Sequence, residues 1–251
     1  MEPASAPKPR VSVCMAAYNG ARHIEEQIRS ILTEIGPHDE LVVVNDFSTD
    51  ATPDIVAGIN DPRIRLIRAE RNNGYVRTFE WALSEARGEF IFLSDQDDVW
   101  LPGRVERMIT AMDGKDMVVS NCKHFDGPLG TFHEIRLRPE DSDHNVRNIL
   151  GIVVGYRLHW GCAMAFRNTL LHQVLPFPAY MTESHDQWIA TVGNVNRSIV
   201  YLEEDTILHR LHGENLTPHG IRSVSKIMRA RVAFVRNVYE AVLRARRARV
   251  A

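Results

Sequence analysis

The run Leu41–Val44, LVVV, constrains the fold most. Four consecutive apolar residues, three of them β-branched, suit a strand covered on both faces, and such strands sit inside parallel sheets. FIFL at 90–93 is a second run of this kind, and VSVCMAAYN at 11–19 is a β-type run ending in small residues. Helical spacing fills the gaps. Residues 20–34 place Ile24, Ile28, Ile31 and Leu32 on one face, and 74–89 read as an amphipathic helix. Residues 48–59 start another helix, with Ser48, Thr49 or Asp50 as cap and Pro53 in the first turn. RIRLIRAE at 63–70 alternates apolar and charged residues, as a less buried strand does. Strands alternating with helices at these intervals predict right-handed βαβ units and an α/β fold, with one mostly parallel central sheet flanked by helices.

The second half is less regular. MVVSNCKHF (117–125) reads as a strand and 126–145 as loop. WGCAMAF (160–166) is a further apolar run, HDQWIATVG (185–193) a short helix, and 198–212 a strand or two. The last thirty residues read as one long helix. No repeat or linker appears. The expected organisation is a flexible leader at 1–10, a continuous domain at 11–217 and a C-terminal extension at 218–251.

Ligands of open α/β sheets bind beyond the carboxyl ends of the strands. Polar clusters stand at three such ends: Tyr18–Asn19, Asn45–Asp46 and Asp95–Asp98. Asp95, Asp97 and Asp98 crowd together and call for a compensating positive charge. A divalent cation, Mg²⁺ or Mn²⁺, supplies it with oxygen ligands. An extended chain would set Asp95 and Asp97 on one face and Asp98 on the other. The plain alternative is a polar turn capping the helix begun by WLPGRVERMITAM. Asp46 suits a base N–H or a ribose hydroxyl, or else a cap on the following helix. Asp186 sits at a helix start, with Thr182 or Ser184 as cap, and is a candidate general base or a simple first-turn aspartate. His209, Arg210 and His212 offer a metal ligand and a cation for a diphosphate, if their loop folds over the strand ends.

Other chemistries leave no trace. There is no P-loop, no G-x-G-x-x-G after the first strand, no H-E-x-x-H and no G-x-S-x-G. Cys14, Cys122 and Cys162 form no CxxC pair, which argues against a cysteine zinc site and for buried thiols in a reduced, cytoplasmic setting. The formal charge of -2 gives the whole molecule no nucleic-acid-binding character. MEPASAPKPR lacks an apolar signal core, and no apolar run approaches a membrane span, which leaves the sequons at Asn196 and Asn215 without consequence.

Taken in order, VSVCMAAYNG, LVVVNDFSTDAT, RNNGYVRTFEWAL and FIFLSDQDDVW resemble family 2 glycosyltransferases of the GT-A fold. HDQWIA and HRLHGENLT extend the resemblance over residues 10–217, and the DQDDVW block is similar to the branch holding bacterial rhamnosyltransferases of surface polysaccharide synthesis. The resemblance implies a nucleotide-sugar-binding half at 11–120 and an acceptor-binding half at 121–217. It implies that Ala17, Tyr18 and Asn19 line the nucleotide pocket, that Asp46 meets the base, and that Asp95 meets ribose or base, with Gln96 beside it and Arg77 a further nucleotide contact. Asp97 would hold the metal, and His212 would lie near metal or diphosphate. Asp186 would be the general base of an inverting transfer. Asp98, Trp160, Gly161, His185, Trp188 and Arg210 would support the loop or the acceptor. The implied partners are a nucleotide-diphosphate sugar and a glycan or lipid-linked acceptor, and the implied cofactor is the divalent cation. Asn45–Asp46–Phe47 departs from the commoner Asp–Asp–Gly form, and His209 stands where Tyr is commoner. Two alternatives stay open: a sugar-phosphate nucleotidyltransferase, which would need a basic Gly-rich loop that AAYNGARH does not supply, and a degenerate member that only binds a glycan or partner.

Residues 221–250 carry nine Lys or Arg and one Glu. Ile221, Val224, Met228, Val232, Val235, Tyr239 and Val242 form one apolar stripe. The stripe predicts contact with an anionic bilayer, with a second copy, or with the catalytic domain. Without aromatic interleaving the basic tail gives no reason to expect nucleic acid.

Overall fold

The computed structural model describes residues 8–127, 136–212 and 224–249. Most of the leader, part of the 126–145 loop, the segment from Gly213 to Ser223 (with Asn215 and Ile221) and the last two residues lie outside the described residues.

The first half alternates as the sequence predicts: β1 (Val11–Ala17), α1 (Ile24–Glu34), β2 (Glu40–Asn45), α2 (Thr52–Gly58), β3 (Ile64–Arg68), α3 (Tyr75–Glu85) and β4 (Phe90–Ser94). β2 and β4 are buried at every position, as unbroken apolar runs require, while β3 is half-buried at the edge. α2 starts one residue later than its polar leader suggests. Its N-cap is Ala51, and Asp50 instead accepts the Thr52 N–H at 3.0 Å.

The chain continues through β5 (Val99–Trp100), α4 (Arg104–Ala111), β6 (Met117–Phe125), α5 (Asn145–Val154), β7 (Met164–Arg167), α6 (Leu171–Val174), α7 (His185–Val195), β8 (Ile199–Arg210) and α8 (Val224–Ala248). Eight strands form one sheet in the order β3-β2-β1-β4-β7-β6-β8-β5. β1 to β4 are mutually parallel, and so are β6 and β8. β7 runs antiparallel between β4 and β6, and β5 antiparallel against β8. The sheet is therefore mixed in its second half, where no helix of crossover length separates β4 from β5.

Register decides what the strand ends present. Ala17 pairs with Asn45, and Met15 with Ser94. Tyr18, Asp46 and Asp95 therefore leave the sheet side by side, at the carboxyl edge of three parallel strands. β5 then pairs Val99 with Leu208, which ties the Asp95–Asp98 turn to the end of β8. Trp188, Phe92 and Phe166 are among the largest fully buried side chains, and each contributes roughly 1.5–3 kcal/mol by leaving water.

Gly88, between α3 and β4, shows how tightly the layers close. A Cβ there would lie 2.6 Å from the Ser12 nitrogen and 2.7 Å from the Val11 carbonyl carbon, and backbone cannot swing aside. Gly88→Ala is expected to cost about 1–3 kcal/mol in a urea melt. A loss within about 0.5 kcal/mol would mean the two segments are not held this closely.

α8 corrects the expectation for its stripe. It packs on α7 and α5 through another face, where Asn237, Ala241 and Ala245 are buried. The predicted residues Met228, Val232, Val235 and Tyr239 are exposed.

Candidate functional site

The strand ends are laced together before any ligand is considered. The Gln96 side chain grips Tyr18 from both sides: Oε1 accepts the Tyr18 N–H at 2.9 Å, and Nε2 donates to the Tyr18 carbonyl at 3.0 Å. Gly20 leaves room for it, since a Cβ there would lie 2.2 Å from Gln96 Oε1. Gln96 thus buckles the end of β4 to the end of β1, a correction to its reading as a nucleotide contact. Asn19, at φ 48°, accepts the Thr49 N–H at 2.9 Å and ties β1 to the loop before α2. Ala17 is buried beneath these turns, while Tyr18 keeps 47% of its surface exposed.

Asp46 is also a fastener. Its oxygens accept the backbone N–H of Asn73 at 2.7 Å and of Gly74 at 2.9 Å. The carboxylate therefore anchors the start of α3, rather than capping α2 or meeting a base with free oxygens. The next residue, Phe47, is 51% exposed at φ 61°. It offers an aromatic face at the crevice that sequence reasoning passed over, noting it only as a departure from the family form.

Asp95, Asp97 and Asp98 separate by a turn rather than by strand alternation, because β4 ends at Ser94. Asp98 is fully buried, with Oδ1 accepting from His209 Nδ1 at 2.9 Å and from the Arg210 backbone N–H at 3.0 Å. Burial opposes a charged His209, but Asp98 and its neighbours win and raise the ring to about 9. His209 is then a paired cation, which corrects its reading as a neutral metal ligand. Arg210 is likewise spent: it bonds the Asp97 carbonyl at 2.9 Å, Glu26 at 2.6 Å and Asp126. It braces the loop instead of facing a diphosphate.

Asp97 faces outward to His212, Oδ2 to Nε2 at 2.8 Å, and His23 stacks on His212 with ring centroids 5.5 Å apart. His23 is a second residue that sequence reasoning missed, since a lone histidine before α1 carries no signal. Burial, then Asp98, push Asp97 upward, against the pull of His212. Burial, then Asp98 and Asp97, push Asp95 up to about 8. Carboxylates held in such need of positive charge fit a divalent cation. The Asp97 carboxylate is an ordinary ligand for Mg²⁺ or Mn²⁺, and the His212 imidazole, a softer donor, suits Mn²⁺ better than Mg²⁺. The buried trio Asp98, Cys162 and His209 also has metal-ligand spacing; there Asp98 Oδ1 is taken by His209 Nδ1 and the Arg210 N–H, while Oδ2 has no protein partner.

Asp186 approaches from the other half of the chain, at the first turn of α7 after Ser184, which occupies the N-cap without making a side-chain cap bond. Burial pushes its carboxyl up to about 6. Asp186 is close enough to Asp95 to raise it further. Residues 160–162 run between the two groups. A Cβ on Gly161 would lie 3.4 Å from His185 Nε2 and 3.6 Å from Asp186 Cβ, and Cys162 Sγ lies 3.8 Å from His209 Nδ1. The Trp160 ring lies 5.2 Å from that of His209.

His185 is buried, and neither ring nitrogen has a protein partner. It stacks on Phe79 at 4.4 Å, and burial lowers it to about 3, so the ring is neutral. Two orphaned nitrogens cost stability. His185→Phe is expected to hold or raise the thermal midpoint while lowering transfer activity about tenfold or more. Equal activity in the variant would make His185 a packing residue alone.

Two expected site residues belong elsewhere. Arg77 donates to the carbonyls of Pro178, Ala179 and Met181 and pairs with Glu80 at 2.6 Å, so it fixes a loop rather than a nucleotide. Trp188 is wholly buried, with its indole N–H on the Val174 carbonyl at 3.0 Å, so it anchors α7 in the core.

Known proteins share this sequence and fold. The sequence profile described as "Glycosyl transferase family 2" matches residues 12–174. The succinoglycan biosynthesis protein ExoO of Rhizobium meliloti is 44% identical over 115 residues, which are 45% of this chain and 33% of that protein. The UDP-Glc:alpha-D-GlcNAc-diphosphoundecaprenol beta-1,3-glucosyltransferase WfgD of Escherichia coli is 35% identical over 102 residues, 41% of this chain and 40% of that one. The matched stretches are a third to two fifths of those relatives. The crystal structure of S. aureus TarS residues 1–349 in complex with UDP-GlcNAc aligns with a TM-score of 0.67 at 22% identity, covering 90% of this chain and 66% of that one.

Proposed function

The chain belongs to glycosyl transferase family 2, and we propose that it is an inverting, metal-dependent transferase of bacterial surface polysaccharide synthesis. The donor is a nucleotide-diphosphate sugar of the UDP-hexose or dTDP-rhamnose type, and the acceptor a hydroxyl of a glycan or lipid-linked glycan on the cytoplasmic side. Membership of the family sets aside a sugar-phosphate nucleotidyltransferase. The GT-A fold, with TarS as structural neighbour, is shared.

The reading rests on Asp95 and Asp186, which come from opposite halves of the chain, lie near enough for Asp186 to raise Asp95, and are each raised chiefly by burial. The exposed rings of Tyr18 and Phe47 flank the crevice and offer faces for the nucleotide base. Asp97 and His212 would hold the divalent cation, which when bound neutralises the diphosphate and makes it a better leaving group. Asp186 takes the acceptor hydroxyl proton as the oxygen attacks the anomeric carbon from the face opposite the nucleotide. That geometry inverts the anomeric centre. Gly161 keeps the approach to Asp186 open, and neutral His185 orients the incoming hydroxyl through an otherwise unpartnered nitrogen. Asp98, His209 and Arg210 hold the Asp95–Asp97 turn in place.

The direct test mixes purified protein with a panel of nucleotide sugars, with and without Mg²⁺ or Mn²⁺. Thermal stabilisation and release of nucleoside diphosphate are read for each. The expected result is one responsive donor class, active only with metal. A protein stabilised by no nucleotide would overturn the reading.

A further inference from the structure

The described residues concentrate their exposed large apolar side chains in two places. Tyr18 and Phe47 lie at the crevice, and the rest lie on α5, on the turn just after it, and on α8. On α5, Val146, Leu150 and Val154 are 67%, 58% and 62% exposed, and their four-residue spacing makes one line along the helix. On α8, Met228, Val232, Val235 and Tyr239 make a second line, each more than half exposed. Among the described residues neither line is covered by another part of the fold. α8 docks through Asn237, Ala241 and Ala245, and α5 through Asn148, Gly151 and Ile152. The two helices are neighbours in one body, since a Cβ on Gly155, just after α5, would strike the Arg231 guanidinium of α8 at 2.2 Å.

Charge identifies the occupant. α8 holds seven Lys or Arg and a single acid, Glu240, which is bonded to Arg244 at 2.8 Å. The whole chain nevertheless carries -2, so positive charge is segregated onto this helix and the remainder is acidic. Lys226, Arg229, Arg246 and Arg247 are exposed. A second copy docked by the same face would set these cations against their own kind. An anionic surface with an apolar interior satisfies both the cations and the lines of Val, Leu, Met and Tyr. Among the described residues no helix is long and apolar enough to cross a membrane, so contact in the plane of the surface is what remains open to α8.

We infer that α5 and α8 form a docking surface for an anionic lipid bilayer, with the apolar lines seated among the acyl chains and the basic residues at the headgroup phosphates. α7, which carries Asp186, packs directly on α8. The inference stands without the transfer chemistry and is tested without it.

Co-sedimentation of the full chain with vesicles provides the test. Vesicles of phosphatidylcholine alone are compared with vesicles that also contain phosphatidylglycerol, at low and high salt. The protein is expected to pellet with the anionic vesicles at low salt, and to leave them as salt rises. Val232→Glu/Val235→Glu and Arg246→Ala/Arg247→Ala each weaken that binding about tenfold or more. Circular dichroism should give unchanged melts, since all four positions are exposed. A wild-type chain that stays in the supernatant with anionic vesicles sinks the proposal. So does a salt-independent pellet that the variants share. A dimer in light scattering, broken by Val232→Glu/Val235→Glu in a chain that ignores vesicles, would assign the surface to self-association instead.

Discussion

Asp186→Asn is expected to lower kcat for sugar transfer by about 10²–10⁴-fold, with little change in donor affinity, and at the same time to raise the thermal midpoint above pH 6. Both effects come from one cause. Burial at the start of α7 pushes the Asp186 carboxyl to about 6, well above about 3.9 for a solvated aspartate. For catalysis a raised pKa helps, because a stronger base takes a hydroxyl proton more readily while still ionised at neutral pH. The rate should rise as pH rises through about 6 and level off above it, since the anion is the working form. Stability runs the other way. The folded state binds the proton more tightly than the unfolded chain does, so this group's contribution is fully present below about pH 4 and is lost as pH rises through about 6. At pH 8 the buried anion destabilises the fold by on the order of 1–2 kcal/mol once its partial exposure is counted. Asn removes that anion and keeps the shape. Rate-pH profiles and melts of both forms at pH 5 and pH 8 read the two effects separately. A variant that retains wild-type kcat would remove Asp186 as the base. A variant less stable at pH 8 than wild type would mean the carboxylate is compensated by groups other than those described.

The parallel half of this fold is legible in sequence because its strands are buried on both faces and announce themselves as unbroken apolar runs. The gathering of polar residues at the strand ends is legible too, while their register is seen only in the structure. α5 escapes the same reasoning. Its exposed side carries Val146, Leu150 and Val154 while its buried side mixes Asn145, Asn148 and Gly151 with Ile152, so hydrophobic periodicity does not mark the inward face. The apolar stripe of α8 is legible in sequence and its partner is not, because periodicity marks an apolar face without saying what covers it. In the site, sequence shows which residue types gather but not which atoms are already engaged. Asp46, Arg77, Gln96 and Arg210 all have ligand-binding chemistry, and all four spend it on the protein itself. Gln96 is the clearest case: a side chain expected at the nucleotide is the clasp that sets β1 against β4. Phe47 and His23 have the opposite history, being ordinary in sequence and placed at the crevice only by a left-handed turn and by a stacked ring.

The adjacent carboxylates Asp97 and Asp98 are expected to fail in opposite ways. Asp97→Ala removes an outward oxygen that is raised by burial and by Asp98. The fold should tolerate its loss or gain slightly, because carboxylate repulsion in the turn is relieved. Activity should fall about 100-fold or more, and Mn²⁺ affinity, read from the electron paramagnetic resonance signal of free Mn²⁺, about tenfold or more. Chelation of the wild-type protein should give the same loss and be reversed by added Mg²⁺ or Mn²⁺. Asp98→Ala removes the carboxylate that does most to keep buried His209 charged and that accepts the Arg210 N–H, and leaving buried donors unpaired costs about 1–3 kcal/mol. It should therefore lower stability first, and lose activity as a consequence of a displaced turn. The two variants distinguish a ligand from a support even though they are one residue apart. If Asp97→Ala bound Mn²⁺ as wild type does, the cation would have to sit elsewhere. The candidate would then be the buried Asp98–Cys162–His209 trio, where Asp98 Oδ2 is a buried oxygen with no protein partner.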